Sequence, residues 1–244
     1  MNLYMLDVAY LLGALADGGC YYLKYRDGRS EYRCIWTQAS LEWLLNSVKP
    51  RLERILENLG LNSNVKLLRG NTRFEIRVSS KLVFQYFMEN RAKIPEWIEK
   101  CENDILRYWL RGLYDAEGDK SGKRLRVWNK DKTILTYATK ALKCYEIEAY
   151  GPYLDDKRRG VYVIEIPSKH RYRFFNEIGF EHPKLSRYHF TTSHFSYHLF
   201  NPTPPAAPES SGAHEWINEV PTVLAWGPVN TRSRCTGRRP PAGR

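Results

Sequence analysis

Residues 110–118, LRGLYDAEG, are the stretch of sequence on which the interpretation of the fold depends. Small and apolar residues recur in it at helical spacing, Glu117 stands near its end, and Gly118 follows directly. Glycine just after the last helical residue is typical of a helix terminus. The stretch predicts a helix, beginning at Pro95, whose last turn carries the carboxylate of Glu117.

A weaker copy of this pattern, LLGALADGG, occupies residues 11–19, about 100 residues earlier. It also combines small residues, an acid and helix-ending glycines. Three residues separate Gly13 from Asp17, whereas four separate Gly112 from Glu117. We therefore expect the first helix to end in a slightly different register from the second.

The segments around the two copies follow a common order. Residues 40–59 place apolar side chains at helical spacing after the N-cap residue Ser40, which predicts an amphipathic helix bent at Pro50. Residues 73–79 alternate strictly between polar and apolar side chains, as a half-buried strand does. The second half shows the corresponding patterns, with strands over 124–128 and 161–166, a turn at 155–160, and helices over 132–144 and 168–178. Each half is thus predicted to run helix, hairpin, helix, hairpin, helix.

The charge of the chain predicts the class of its partner. The 244 residues carry 38 Lys and Arg against 27 Asp and Glu, a net charge of +11, while 43% hydrophobic content excludes a wholly disordered basic protein. The excess is +4 over residues 1–100, +5 over 101–200 and +2 over 201–244. A folded, basic body predicts a polyanionic partner, and composition alone leaves nucleic acid and an anionic membrane surface both open.

Targeting signals and cysteines indicate a cytoplasmic protein. The apolar run 8–16 is too short for a spanning helix and has no basic leader. The five cysteines are odd in number, widely spaced and never in a C-x-x-C pair, so we expect reduced thiols and no zinc site. Eight of the 13 prolines lie beyond residue 200, where regular secondary structure should be sparse.

The two stretches 11–19 and 110–118 resemble the paired signature of the LAGLIDADG homing endonucleases, most of all the monomeric, archaeal, intron-encoded members. Further likeness comes from residues 25–38, 72–80 and 118–130, and the resemblance covers about residues 5–185. It implies an α+β fold in which two pseudo-symmetric αββαββα halves form a saddle of antiparallel sheets over DNA, with the two motif helices at its centre. The implied division is an N-terminal half over 1–98, a C-terminal half over 99–190, and a flexible, proline-rich tail over 191–244.

The glycines and acids of the motifs explain why the motifs come in pairs. Gly13 and Gly112 lack side chains, so two helix backbones can pack closely and bring Asp17 and Glu117 together. Neighbouring carboxylates are costly without cations, and oxygen ligands suit Mg²⁺, which can hold a scissile phosphate and activate water. Taken singly, each acid also fits a solvated carboxylate at a helix end.

The resemblance implies further site residues. The implied metal ligands are Asp17, Glu117, Gly18 and Ala116, with Mn²⁺ as a substitute for Mg²⁺. The implied catalytic residues are Asp17, Glu117, Gln38 and Lys120, of which Lys120 stabilises developing charge or positions the water. Asn129 occupies a place equivalent to that of Gln38 in the second half. Ordinary turn chemistry also explains both amides, and Lys120 also fits a surface lysine.

The alternating strands predict the DNA interface, because an antiparallel sheet in the major groove presents every second side chain to the bases or backbone. The expected contacts are Tyr25, Arg29, Arg33, Arg73, Arg77, Arg124, Arg126, Trp128, Asn129, Lys130, Arg158 and Arg159. Glu31, Glu75 and Asp155 are expected to hold neighbouring arginines or to accept from cytosine. For each arginine, a merely solvated strand face is the alternative.

The resemblance implies a monomeric, site-specific endonuclease that hydrolyses one phosphodiester in each strand of a long, asymmetric double-stranded DNA site and leaves 3′-overhangs. Two alternatives stay open: a maturase that binds intron RNA and assists splicing, and a catalytically silent DNA-binding regulator. The two retained acids favour cleavage. An intein is disfavoured because Met1-Asn2 offers no splicing nucleophile, and a membrane-surface protein because the basic residues concentrate on strands. His189, His194 and His198 lack an acid or cysteine to complete a metal site.

Overall fold

The structure, a computed structural model, describes residues 3–62, 64–119 and 124–186, with the backbone alone at Asp17 and Ser186. The helices are α1 (Leu3–Ala14), α2 (Leu41–Trp43), α3 (Lys49–Asn58), α4 (Lys81–Ala92), α5 (Ile94–Glu99), α6 (Asn103–Glu117), α7 (Lys132–Lys143), α8 (Ser168–Glu177) and α9 (Pro183–Ser186). The strands are β1 (Gly19–Lys24), β2 (Ser30–Gln38), β3 (Lys66–Arg69), β4 (Phe74–Ser79), β5 (Leu125–Asn129), β6 (Tyr150–Asp156) and β7 (Val161–Ile166). Across these described ranges, none of the helices is both long and apolar enough to cross a membrane.

Three sets of predicted residues lie outside the described ranges. They are Lys120, the histidines at 189, 194 and 198, and the tail over 191–244. The division of the chain at residues 98 and 190 stays a prediction.

The strands form two antiparallel sheets, as the expected α+β fold requires. The first sheet has the order β1-β2-β4-β3 and the second the order β5-β7-β6. In the second half, an isolated bridge between Gly118 and Val127 and a hydrogen bond from the Asp119 N–H to the Arg126 carbonyl (2.9 Å) stand where β1 stands in the first. Each half is predicted to follow the pattern αββαββα. Among the described residues, the second half of the chain has one full strand fewer than the first half.

Alternation along the strands decides which face packs on the helices. In β2, Cys34 and Trp36 are fully buried and pair with Val78 and Ile76 of β4. The residues that alternate with them, among them Arg33 of β2 and Glu75 and Arg77 of β4, point to the opposite face of the sheet. The predicted strand over 73–79 is thus confirmed, and so are the predicted helices near 132–144 and 168–178.

The helix predicted over 40–59 is confirmed in position but not in form. Ser40 caps it by accepting a hydrogen bond from the Trp43 N–H (3.2 Å). A π-helical stretch, Leu44–Val48, then separates α2 from α3. Proline has no N–H to donate to the preceding turn, and the widened turn accommodates Pro50 at the start of α3.

The single helix predicted to run from Pro95 through Glu117 is wrong, because the chain breaks at Cys101. Cys101 has a φ of 44°, and the Glu102 N–H donates to the Trp97 carbonyl (2.9 Å), as in a helix C-terminal cap. The break divides the segment into α5 and α6. Residues 96–111 contain neither glycine nor proline, so the sequence has no conventional signal for it.

The expectation that all cysteines are reduced is also wrong. Cys101 forms a disulfide with Cys144, which directly follows α7. The two residues are 43 positions apart, and the packing of α5 against α7 brings them together. The expectation rests on spacing along the chain, which carries no information about this contact.

The two motif helices, α1 and α6, are in direct backbone contact. A Cβ atom built on Gly13 would lie 2.0 Å from the Trp109 carbonyl oxygen, and one built on Gly112 would lie 2.1 Å from the Tyr10 carbonyl oxygen. These distances are far below van der Waals contact, so neither position has room for a side chain. Each glycine faces the backbone of the other helix, as expected for packing about a pseudo-two-fold axis.

A buried polar network lies beside this contact. The Asp115 carboxylate, fully buried on α6, accepts from the Tyr10 hydroxyl (2.7 Å) and from the N–H groups of Glu181 and His182 (3.1 Å each). The Trp43 indole donates in turn to the Tyr10 oxygen (2.8 Å). Burial raises the pKa of Asp115 to about 6, although these donors oppose the shift. The network ties α1, α2 and α6 to the segment before α9.

We expect Gly112→Ala to lower the free energy of unfolding by at least about 3 kcal/mol, because the added methyl group forces the two backbones apart. Urea denaturation followed by circular dichroism measures this change. Gly60→Ala is the matched control. Gly60 has a φ of 64°, but a Cβ there meets nothing within 4 Å, so its cost should stay at about 1 kcal/mol. Equal costs at the two glycines would contradict the close contact.

The raised pKa of Asp115 predicts a pH-dependent stability difference. Between pH 4 and pH 6 the folded protein holds this proton more tightly than the unfolded chain, so the group's contribution to stability falls as pH rises. Asp115→Asn removes the titration. The stability lost on this substitution should therefore be smaller at pH 7 than at pH 4, by roughly 2–3 kcal/mol. Paired urea denaturations at the two pH values measure the change, and a loss independent of pH would refute it.

Candidate active site and nucleic-acid interface

Both motif acids stand at the end of their helix. In the first motif, α1 tightens into a 3₁₀ turn, Leu15–Asp17, closed by a hydrogen bond from the Gly18 N–H to the Leu15 carbonyl (3.0 Å). In the second, α6 stays helical to Glu117, and the Gly118 N–H donates to the Tyr114 carbonyl (2.8 Å). The tightened turn accounts for the spacing that is one residue shorter in the first motif.

The close helix contact brings these two ends together. The 3₁₀ turn that ends at Asp17 packs against α6, whose last residue is Glu117. The side chain of Glu117 is half-buried. Gly18 has no room for a side chain, because a Cβ there would lie 1.7 Å from the Ile35 carbonyl oxygen of β2. The acid of each motif is thus followed at once by the chain that enters its sheet.

Two amide side chains, one from each half, contact the motif of the opposite half. The Gln38 amide, at the end of β2 and 3% exposed, donates to the Ala116 carbonyl (2.9 Å). The Asn129 amide, at the end of β5, donates to the Ala16 carbonyl (3.4 Å). Ala116 and Ala16 each precede the acid of their motif. Gln38 and Asn129 therefore occupy equivalent places in the two halves, as the sequence predicts. Asn129 lies at the motif ends as well as on a strand of the expected DNA interface.

The carbonyl groups near the acids differ from the expected set in one respect. The Gly18 carbonyl, expected to bind metal, accepts a hydrogen bond from the Tyr21 hydroxyl (2.8 Å). By position in the motif, the counterpart of Ala116 is Ala16, which the sequence interpretation missed. The signal that could have found it is the alignment of the two motifs on their acids.

Three of the expected arginines, Arg33, Arg77 and Arg126, lie in strands on the faces opposite the core, and carboxylates hold them. Arg33 pairs with Glu31 (2.5 Å) and Arg77 with Glu75 (2.6 Å) in the first sheet. The Arg33 hydrogen bond is the main reason that the pKa of Glu31 is lowered to about 2. Both arginines lie on one face, because Arg33 is opposite Ser79 and Arg77 is opposite Ile35.

The second sheet repeats this arrangement with a residue that the sequence interpretation missed. Glu165 of β7 binds Arg126 of the neighbouring strand β5 (2.6 Å) and lies near Arg124 (3.9 Å). Asp155, expected to hold an arginine, instead accepts from the Trp128 indole (3.1 Å). The cross-strand register that joins Arg126 to Glu165 is not visible in the sequence.

The remaining expected contacts lie at strand ends and turns. Tyr25 follows β1, and its hydroxyl donates to Glu31 (2.9 Å) and accepts from Arg33 (2.9 Å). Arg29, in the turn before β2, pairs with Asp27 (2.7 Å). The others are Arg73 before β4, Lys130 after β5, and Arg158 and Arg159 in the turn between β6 and β7. The polar faces and tips of both sheets thus carry the predicted cations.

The chain is similar in sequence and fold to known proteins. Residues 104–179 match the family described as LAGLIDADG-like domain. The homing endonuclease I-DmoI from Desulfurococcus mucosus is 38% identical over 177 residues, which cover 71% of this chain and 88% of I-DmoI. A crystal structure of an I-DmoI variant in complex with its target DNA in the presence of magnesium superposes with a TM-score of 0.64 at 38% identity, covering 72% of this chain and 98% of that one. For I-DmoI in complex with DNA and manganese, the TM-score is 0.65 at 38% identity, with 72% and 97% covered.

An identity of 38% across nearly the whole relative, on the same two-sheet fold, goes well beyond a likeness of architecture. It agrees with the paired motifs, the close helix contact between them and the cation-bearing strand faces described above. This chain belongs to the LAGLIDADG homing endonuclease family.

Proposed function

We propose that this chain binds a long, asymmetric double-stranded DNA site as a monomer and hydrolyses one phosphodiester in each strand, leaving 3′-overhangs. The observation that carries this proposal is the backbone contact between α1 and α6 at Gly13 and Gly112, which sets the two acid-bearing helix ends side by side. Each of the two adjacent acids is assigned to the cleavage of one DNA strand. The two halves differ in side chains and, within the described ranges, in strand number, which supports an asymmetric target.

The chemistry of the donor groups at the helix ends fits a divalent metal. They are oxygen donors, the carboxylates of Asp17 and Glu117 and the carbonyls of Gly18 and Ala116, and such ligands suit Mg²⁺, with Mn²⁺ as a substitute. The described side chains contain no group of three His, Cys, Asp or Glu residues that could hold a metal. A divalent ion bound here would neutralise the scissile phosphate, lower the pKa of a bound water and stabilise the leaving oxygen.

The protein's own side chains are proposed to position these donors. Gln38 and Asn129 hold the carbonyls that precede the acids, each from the opposite half. Displacement of either half would therefore move a carbonyl of the other motif. Lys120 is proposed to stabilise the charge that develops on the phosphate or to position the water.

The strand faces are proposed to supply recognition. Carboxylates orient the guanidinium groups of Arg33, Arg77 and Arg126 before DNA arrives. An oriented guanidinium can bond a guanine in the major groove through two parallel hydrogen bonds. The basic tips at Arg29 and at Arg158 and Arg159 suit phosphate contacts, which add affinity without sequence information.

The acids provide the first test. With Mg²⁺ and DNA that carries an uninterrupted copy of the chain's own insertion site, we expect Asp17→Asn or Glu117→Gln to reduce double-strand cleavage by at least about 100-fold, because each substitution removes a metal ligand. Binding, measured by fluorescence anisotropy in Ca²⁺, should change by less than about 3-fold, a small free energy.

Exposed acids away from the motif ends give the matched controls. Asp104→Asn on α6 and Glu89→Gln on α4 make the same chemical changes away from the motif ends. They should cleave like the wild type. Unchanged cutting by both motif variants would overturn the assignment of the acids, and binding without any cleavage by the wild type would favour a silent regulator.

The arginine faces provide a second test. We expect Arg126→Ala to weaken binding to the cognate site by about 5-fold to 100-fold, because it removes an oriented guanidinium from the DNA-facing side of β5. Arg173→Ala is the matched control, since Arg173 lies on α8 and is likewise bound by a carboxylate, that of Glu146. Anisotropy titrations at two salt concentrations compare the variants. An equal loss for both would contradict the proposed interface.

A further inference from the structure

Two cysteines outside the proposed active site face each other across the first sheet. Cys20 of β1 and Cys34 of β2 are directly opposite in the antiparallel register, between the pairs Gly19–Ile35 and Tyr21–Arg33. Their sulfur atoms are 3.2 Å apart. Both are thiols in this structure, in contrast to Cys101 and Cys144.

The backbone around this pair already meets the requirement for a disulfide. Directly opposite residues of an antiparallel pair have Cα atoms about 4.5 or 5.5 Å apart, depending on the hydrogen-bonding position. Both distances fall within the range of about 4.4–6.8 Å found in disulfides. Their side chains leave the sheet on one face, so the sulfur atoms need to approach by only about 1 Å to reach the S–S bond length of roughly 2.05 Å.

Access to the two sulfur atoms is unequal. Cys34 is fully buried against the core. Cys20 is half-buried and lines a cavity of about 370 Å³ between the end of α1, α4 and the start of α7. Phe87, Met88 and Ile134 are among the apolar walls of this cavity. A small oxidant that enters the cavity therefore meets Cys20 first, and Cys34 only through Cys20.

We propose that Cys20 and Cys34 form a redox-active dithiol that reacts with hydroperoxides, with Cys20 as the attacking residue and Cys34 as the resolving residue. The Cys20 sulfur attacks one peroxide oxygen, so that an S–O bond forms, the O–O bond breaks, and ROOH leaves as ROH. The Cys34 sulfur then displaces the hydroxyl group as water and forms the S–S bond. Two thiols and one ROOH become one disulfide, one ROH and one water.

The cysteine pair lies next to residues of the proposed active site and DNA interface. Cys20 is the second residue of β1 and follows the turn that carries Asp17 by three positions. Cys34 lies on the strand that ends at Gln38. The disulfide would close a loop over residues 20–34, which includes Tyr25 and Arg29 of the proposed DNA interface.

The test uses hydrogen peroxide and the full chain. The protein is freed of reductant, treated with equimolar peroxide, unfolded in guanidinium chloride with iodoacetamide to block every remaining thiol, and digested with trypsin without reduction. Cleavage sites at Lys24, Arg26, Arg29 and Arg33 separate the two cysteines, so a disulfide between them holds two peptides together. We expect mass spectrometry to find the linked peptides that contain Cys20 and Cys34 in most molecules after treatment.

Two variants distinguish the assigned roles. In Cys34→Ser the resolving thiol is gone, so Cys20 should accumulate as a sulfenic acid that dimedone traps. In Cys20→Ser, Cys34 should stay reduced, because the cavity no longer presents a thiol. The fifth cysteine, Cys235, is an internal reference. If the wild type shows oxidised Cys235 while Cys20 and Cys34 are both recovered as iodoacetamide adducts, the proposal is overturned. Linkage of Cys20 to Cys235 in place of Cys34 would overturn it too.

Discussion

The backbone contact between α1 and α6 is the constraint on which the arrangement of the molecule depends. It requires glycine at two positions 99 residues apart, Gly13 and Gly112, since a Cβ at either would lie about 2 Å from a carbonyl oxygen of the other helix. A single glycine would not suffice, because the contact is reciprocal. One sheet follows each of these helices in the chain, so the positions of the helix ends determine where the strands begin.

The same contact makes the proposed active site a joint product of both halves. Because the helix ends lie together, an amide from the sheet of one half can reach the carbonyl before the acid of the other, as Gln38 and Asn129 do. The buried Asp115 network also joins the two helices and ties them to the segment before α9. We infer that neither half would keep a competent site alone, since each lacks the amide that holds its own motif.

Features that depend on local spacing were open to prediction from sequence. Glu117 followed by Gly118 marks a helix end, and the alternation over 73–79 marks a strand, because both patterns follow from backbone geometry within one element. The paired motifs extended this to the helix contact and the fold. Features that depend on which elements meet were not open to it.

Two of the differences from the sequence-based expectations depend on which elements meet. The Cys101–Cys144 disulfide arises from helix packing over 43 residues, and the Arg126–Glu165 ion pair from strand register over 39. The sequence around the break between α5 and α6 contains no glycine or proline that would predict it. Ala16 differs, because it is adjacent to Asp17 and aligning the motifs on their acids identifies it as the counterpart of Ala116.

We propose that the glycine-permitted helix packing creates a paired metal site from Asp17 and Glu117. Its most direct test is the crystal structure of the chain with its target DNA and Mn²⁺, with anomalous scattering recorded at the manganese edge. We expect manganese peaks within bonding distance of both carboxylates and of the two scissile phosphates. Manganese bound elsewhere on the protein, with either carboxylate turned away from the DNA, would contradict it.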